Sequence, residues 1–157
     1  MRELELPQDY GDLLRELVEH GAEFLLVGGW AVAVHGHGRA TDDMDILVRA
    51  TPENAPRVYA ALNAFGAPLD AHGVTEGLFA HAEYGYRLGR PPLLIELLTT
   101  VDGVTFDEAA EHAVTVQVGD VAIAVIGKDA LLANKRASGR PKDVADVLAL
   151  EGLGDRD

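Results

Sequence analysis

Hydrophobic positions along this chain switch repeatedly between a helical and an extended period. From Tyr10 to His20, Leu13, Leu14 and Leu17 fall on one helical stripe, and Gly21 supplies a stop. Phe24 to Val27 is a short, continuously apolar run of the kind that forms a buried strand, and it ends on Gly28 and Gly29. A helical stretch from Trp30 to His35 follows at once, and Met44 to Val48 reads as a second strand. TPENAPRVYAALNAFG predicts a helix capped by Thr51, with Pro52 in its first turn and Gly66 beyond its end. AEYGYRL and LLIELLT predict paired strands across the loop from Gly89 to Pro92. Phe106 to His112 predicts a short helix, and VTVQVGDVAIAVI a hairpin around Gly119 and Asp120. KDALLANKRAS and PKDVADVLALEG close the chain as two helices split by Gly139. Only Pro68 to His81 carries no readable period. Strands alternating with helices and no linker composition predict one mixed α/β domain over 1–157, with a helical hairpin at about 127–152.

Two places on this pattern carry chemistry. Asp43 and Asp45 stand two apart on a strand, so both point to one face while Met44, Ile46 and Val48 point to the other. Neighbouring carboxylates raise the cost of ionising both, and a divalent cation reverses that penalty. Upstream, a strand passes through Gly28 and Gly29 into a helix, which presents bare backbone N–H groups and the positive end of a helix dipole. No Gly-Lys-Ser/Thr follows the glycines, and GxGxxG is absent. A nucleoside triphosphate carrying magnesium is a ligand that needs both features.

These residues resemble the signature of the nucleotidyltransferase superfamily that includes DNA polymerase beta. That signature is a hydrophobic residue followed by Gly and Gly or Ser, a spacer, and then Asp-hydrophobic-Asp/Glu-hydrophobic. Val27-Gly28-Gly29 and Asp43-Met44-Asp45-Ile46 match it. The third element, a lone acid between hydrophobic residues on a later strand, is matched by Glu96 between Ile95 and Leu97. Gly28, Gly29, Ala31, His35, Gly36, Arg39, Thr41, Asp43 and Asp45 together are similar to the form found in small stand-alone bacterial members, among them the abortive-infection nucleotidyltransferase toxins. The closing KRASGRPKDVADVLAL resembles the C-terminal helices of that group.

The resemblance implies a nucleotidyltransferase fold, a mixed central sheet flanked by helices, and transfer of a nucleoside monophosphate from an NTP. Asp43, Asp45 and Glu96 would hold Mg²⁺ or Mn²⁺. Gly28 and Gly29 would cradle phosphates, with Trp30 by the base and Arg39, Thr41, Lys135 and Arg140 as further nucleotide or phosphate contacts. Gly29 stands where many relatives carry serine, so the backbone acts there without a hydroxyl. The acceptor implied is a tRNA or a protein side chain, within a toxin–antitoxin or phage-defence pair that supplies a cognate partner. A nucleotide-binding antitoxin or scaffold without turnover is the alternative.

Several of these residues also have plainly structural readings. Glu96 could pair with Arg87 or Arg90, and Arg39 with a carboxylate such as Asp42. Lys135, Arg140 and Asp143 could form a capping and salt-bridge set, His35 could bond backbone at a helix end, and Trp30 reads as a core residue as readily as one lining a base pocket.

Composition narrows partners more than fold. The chain has 157 residues and a formal net charge of −13, which disfavours bulk nonspecific DNA binding. Lys128, Lys135, Arg136, Arg140 and Lys142 fall within one short stretch, and Arg87 and Arg90 in another; RNA or a nucleotide tail is expected there. No cysteine is present, which excludes disulfides and thiolate metal sites. No apolar run approaches the roughly 20 residues of a membrane span, and MRELELPQDYGDLL lacks a signal-peptide core. A cytoplasmic address is expected.

Overall fold

The computed structural model describes residues 2–154. Its strands are β1 (Arg2–Glu3), β2 (Phe24–Val27), β3 (Asp43–Val48), β4 (Gly85–Leu88), β5 (Leu94–Leu98), β6 (Val114–Val118) and β7 (Val121–Val125). They form one mixed sheet in the order β1-β6-β7-β2-β3-β5-β4. β2 runs antiparallel to β3, β3 parallel to β5, and β5 antiparallel to β4 at the sheet's edge.

Helix α1 (Gln8–Glu19) buries Tyr10, Leu13, Leu14 and Leu17, the stripe its sequence period defines. It packs against α3 (Ala55–Phe65), which buries Val58, Ala61 and Leu62. Met44, Ile46 and Val48 are fully enclosed, whereas Asp43 and Asp45 on the opposite strand face are only half-buried. The acidic pair therefore lies at the N-terminal end of β3. Beyond it, Leu47 returns the same face to the core. Short α2 (Gly28–Val34) follows β2 directly, and α4 is Phe106–Ala110. Helices α5 (Lys128–Ser138) and α6 (Pro141–Gly154) pack together as a hairpin, turning at Gly139 with φ of 64°. No described helix is long and apolar enough to cross a membrane.

Three local departures from the sequence expectations have physical causes. Helix α3 begins at Ala55 rather than directly after Thr51, with Pro56 in its first turn. Residues 51–54 form a turn instead, in which Thr51 Oγ1 accepts from the Asn54 N–H at 3.1 Å. Asn54 is itself buried: it accepts from Glu23 N–H at 2.7 Å and donates to the Glu23 and Arg49 carbonyls at 2.9 and 3.0 Å. Those bonds hold residues 51–54 against the entrance to β2. Strand β1 is too short to show a period and is found only through its parallel pairing with β6. The unreadable stretch from Pro68 to His81 is a series of turns ending in a 3-10 segment, Glu76–Ala80. Its anchor is Phe79, buried edge-on against Tyr84 and Tyr86 at 5.3 and 6.5 Å between ring centroids.

Candidate active site

Sheet register lines up the site. Val27, Asp45, Glu96 and Arg87 are successive partners across β2, β3, β5 and β4. Asp43 lies two residues before Asp45, hence on the same face. Carboxylate oxygens of Asp43, Asp45 and Glu96 all approach within 4.8 Å of one another. Strand alternation and strand order are sufficient to bring them together; no unusual backbone is needed at any of the three.

Their surroundings are unequal. Asp43 accepts from Thr41 Oγ1 at 3.0 Å, and Glu96 accepts from Arg87 Nη2 at 3.0 Å. Asp45 has no hydrogen bond or ion pair among the described residues. Burial first, and then the charges of Asp43 and Glu96, push its carboxyl up to about 7, while Lys135 and Lys142 pull the other way. Tyr10 shares this field. Its hydroxyl donates toward the Leu94 and Pro92 carbonyls at 3.0 and 3.2 Å, and burial together with Asp43, Asp45 and Asp42 pushes it up to about 12. A half-buried carboxylate that no donor or cation contacts among the described residues, beside two others, makes a set of hard oxygens suited to a small divalent cation.

The glycine pair is fitted to this corner. Gly28 has φ of 69°, and a Cβ there would collide with the Asp45 carboxylate. A Cβ on Gly29 would lie 2.9 Å from Thr41 Oγ1 and 3.2 Å from an Arg39 guanidinium nitrogen. Helix α2 begins here with no side-chain cap, so its first amides lack an intrahelical partner. Its start at Gly28, two residues before the position its sequence period marks, places both glycines inside the first turn.

A cleft of about 350 Å³ opens beside Asp45 and Gly28, with Asp102, Asn134, Lys135 and Arg140 on its wall. Lys135 is buried, and its Nζ lies 3.0 Å from Asp143 and 3.4 Å from Asp146. Arg39 grips Asp146 through Nε and Nη2 at 2.8 and 3.0 Å. Its carboxylate partner is thus Asp146 of α6, and the sequence neighbour Asp42 is not used. Arg140 donates to Asp143 at 2.8 Å. Burial alone would raise Asp143, but bonds from Ser138, Lys135 and Arg140 outweigh it and hold the carboxyl at about 2. Trp30 does not line the cleft: it packs edge-on to Tyr10 at 6.4 Å, with its indole N–H enclosed and unpartnered. Thr41 and Arg39 sit behind the glycine turn rather than on the cleft wall.

Some expectations about charge do not survive folding. The C-terminal basic stretch is not one patch, because Lys128 lines a different cavity with His35 and His112, and Arg136 pairs with Glu151. His35 bonds the Ile126 carbonyl through Nε2 at 2.7 Å, its backbone-bonded reading. Asp146 was not singled out by sequence, although its spacing of three from Asp143 puts both acids on one face of α6. Tyr10, hidden in an ordinary helical stripe, left no such signal.

A crystal structure described as an antigenic nucleotidyltransferase-like protein from Paracoccidioides brasiliensis superposes on this chain with a TM-score of 0.52. The match covers 94% of this chain and 78% of that one, at 18% sequence identity. The fold is nucleotidyltransferase-like. No family model matches the sequence, and no curated protein does either. Within this nucleotidyltransferase-like fold, the acidic corner and the glycine turn occupy adjoining ends of β3 and β2.

Proposed function

We propose that this chain is a divalent-metal-dependent nucleotidyltransferase that moves a nucleoside monophosphate from an NTP to an acceptor hydroxyl. The observation that carries the reading is the convergence of Asp43, Asp45 and Glu96 beside the bare turn at Gly28 and Gly29. Three carboxylate oxygens with Asp45 unpartnered fit Mg²⁺ or Mn²⁺, with Asp43, Asp45 and Glu96 as the ligands. When bound, the cation supplies charge neutralisation on phosphate and makes a hydroxyl more acidic.

The chain's own residues do the rest. Amides of Gly28 and Gly29 donate to the outer phosphates of the triphosphate, and Lys135 and Arg140 add positive charge from the cleft wall. Thr41 fixes the Asp43 carboxylate, and Arg39 holds the loop behind the glycine turn by its grip on Asp146. Trp30 backs that turn from the Tyr10 side. The acceptor oxygen attacks the α-phosphorus, the bond to the bridging oxygen breaks, and pyrophosphate leaves; the hydroxyl proton passes to water. Such a displacement depends on positioning and preorganised charge more than on covalent catalysis.

The sequence resemblance to abortive-infection toxins extends the reading to a cytoplasmic toxin–antitoxin or phage-defence role, with tRNA or a protein side chain as acceptor. The test is incubation with each α-labelled NTP, Mg²⁺ or Mn²⁺, and bulk tRNA. Transfer of label, abolished in Asp45→Ala, is the expected result. Nucleotide binding without transfer, unchanged by Glu96→Gln, would point instead to the silent binding module.

A further inference from the structure

Cations flank the acidic corner on two sides, and the triphosphate of the proposed reaction would use only one of them. Lys135 and Arg140 stand with Gly28 on the cleft side of Asp45. Arg87 stands at the other end of the same row, on β4, the last strand of the sheet. Its side chain is 66% exposed, and one Nη2 bond to Glu96 is its single hydrogen bond among the described residues. A guanidinium has five N–H donors, so most of this one faces solvent unused. Arg90, two residues past the end of β4, is exposed and enters no ion pair among the described residues. Its loop rejoins the sheet where the Leu94 N–H donates to the Asp42 carbonyl at 3.2 Å, next to Asp43. An ion pair whose guanidinium is this exposed adds little to stability, so stability does not account for Arg87.

We infer that the acceptor is a nucleic-acid chain seated along the β4 edge, with Arg87 and Arg90 gripping phosphate beside the attacking hydroxyl. This rests on the nucleotidyltransferase reading above. Phosphoryl displacement is in line: attacking and leaving oxygens lie on opposite sides of the phosphorus. Pyrophosphate held at the Gly28 turn leaves toward β2, so the hydroxyl enters from the β5–β4 side, where Arg87 stands. The acceptor oxygen forms the new bond to the α-phosphorus as the bridging bond breaks, and its proton passes to water. Two arginines at the entry fit a phosphodiester, which the planar guanidinium fork recognises in a bidentate manner. A protein hydroxyl brings no phosphate for them. The net charge of −13 repels nucleic acid elsewhere, which concentrates binding at this edge.

The experiment uses a short single-stranded oligoribonucleotide with a free 3′-hydroxyl as probe. Its affinity is measured over a salt series for the wild type and for Arg87→Gln, Arg90→Gln and the double variant. Calorimetry of Mg²⁺–NTP binding runs alongside. The double variant is expected to bind the probe about tenfold less tightly, with the log–log salt slope shallower by about 0.7 for each arginine removed. Nucleotide binding is expected to be unchanged in Arg90→Gln, whereas Arg87→Gln also releases the Glu96 carboxylate. An affinity and salt slope that ignore the double variant, with nucleotide binding intact, overturn this inference and leave the enzyme reading standing. So does label passing from NTP to a protein while RNA is ignored. Failure of the wild type to bind NTP overturns the enzyme reading and this inference with it.

Discussion

Asp45 sits where burial and two neighbouring carboxylates oppose its own charge. Burial and the charges of Asp43 and Glu96 push its carboxyl up to about 7, from an ordinary 3.8. A raised carboxyl opposes folding once the unfolded chain can ionise, so the contribution of Asp45 to stability is most favourable at low pH. It falls as pH climbs from 3.8 towards 7 and then levels. At about 1.4 kcal/mol per unit, the loss reaches up to about 4 kcal/mol, and Asp45→Asn should abolish most of it. Urea unfolding across that range in the presence of a chelator reads both curves; parallel pH profiles for the two proteins would contradict the assignment. Gly28 makes a second residue-scale case. Gly28→Ala meets both a left-handed backbone and the Asp45 carboxylate. It should cost about 1–3 kcal/mol in the same melts and weaken cation binding as well. A variant as stable as wild type, with unchanged cation affinity, would show that the turn is not held against Asp45.

Helix α6 carries its acids inward and some of its aliphatics outward: Asp143 and Asp146 are buried while Val144 and Leu148 are exposed. The inversion has a cause, because those acids tie Lys135 and Arg39 into one ion network that joins α6 to α5 and to the loop before β3. Removing one member leaves buried charge uncompensated. Asp146→Ala should therefore destabilise the protein by about 3–5 kcal/mol. Combined with Arg39→Ala, the loss should fall short of additive, and an additive double variant would contradict a shared network. This is also where sequence reading thins out. Strands β2 to β7 and the helices were legible because apolar runs and periods of two and 3.6 survive in the local chain, whereas β1 carries neither. Asp43, Asp45 and Glu96 were legible because each interrupts an apolar strand. The Arg39–Asp146 pair spans more than a hundred residues, and local pattern shows neither partner to the other. The basic stretch near the C-terminus failed for the same reason: helical geometry sends neighbours in sequence to different faces, and folding hands each a different counterion.

At the scale of the molecule, one sheet arranges the whole proposal. β2 brings the glycine turn, β3 and β5 bring the three acids, and β4 closes the row with Arg87. The turn and the acids could be matched from sequence, but their left-to-right order could not, since it depends on β5 inserting between β3 and β4. That order gives the proposed site its direction, with the nucleotide assigned to the β2 end and the acceptor to the β4 end. The central claim is that the three acids form a divalent cation site that works with a bound triphosphate. A Mn²⁺ titration followed by electron paramagnetic resonance, with and without NTP, tests it most directly. The account predicts one site that tightens when NTP is added and disappears in Asp45→Asn. Weak Mn²⁺ binding that neither NTP nor Asp45→Asn alters would contradict it.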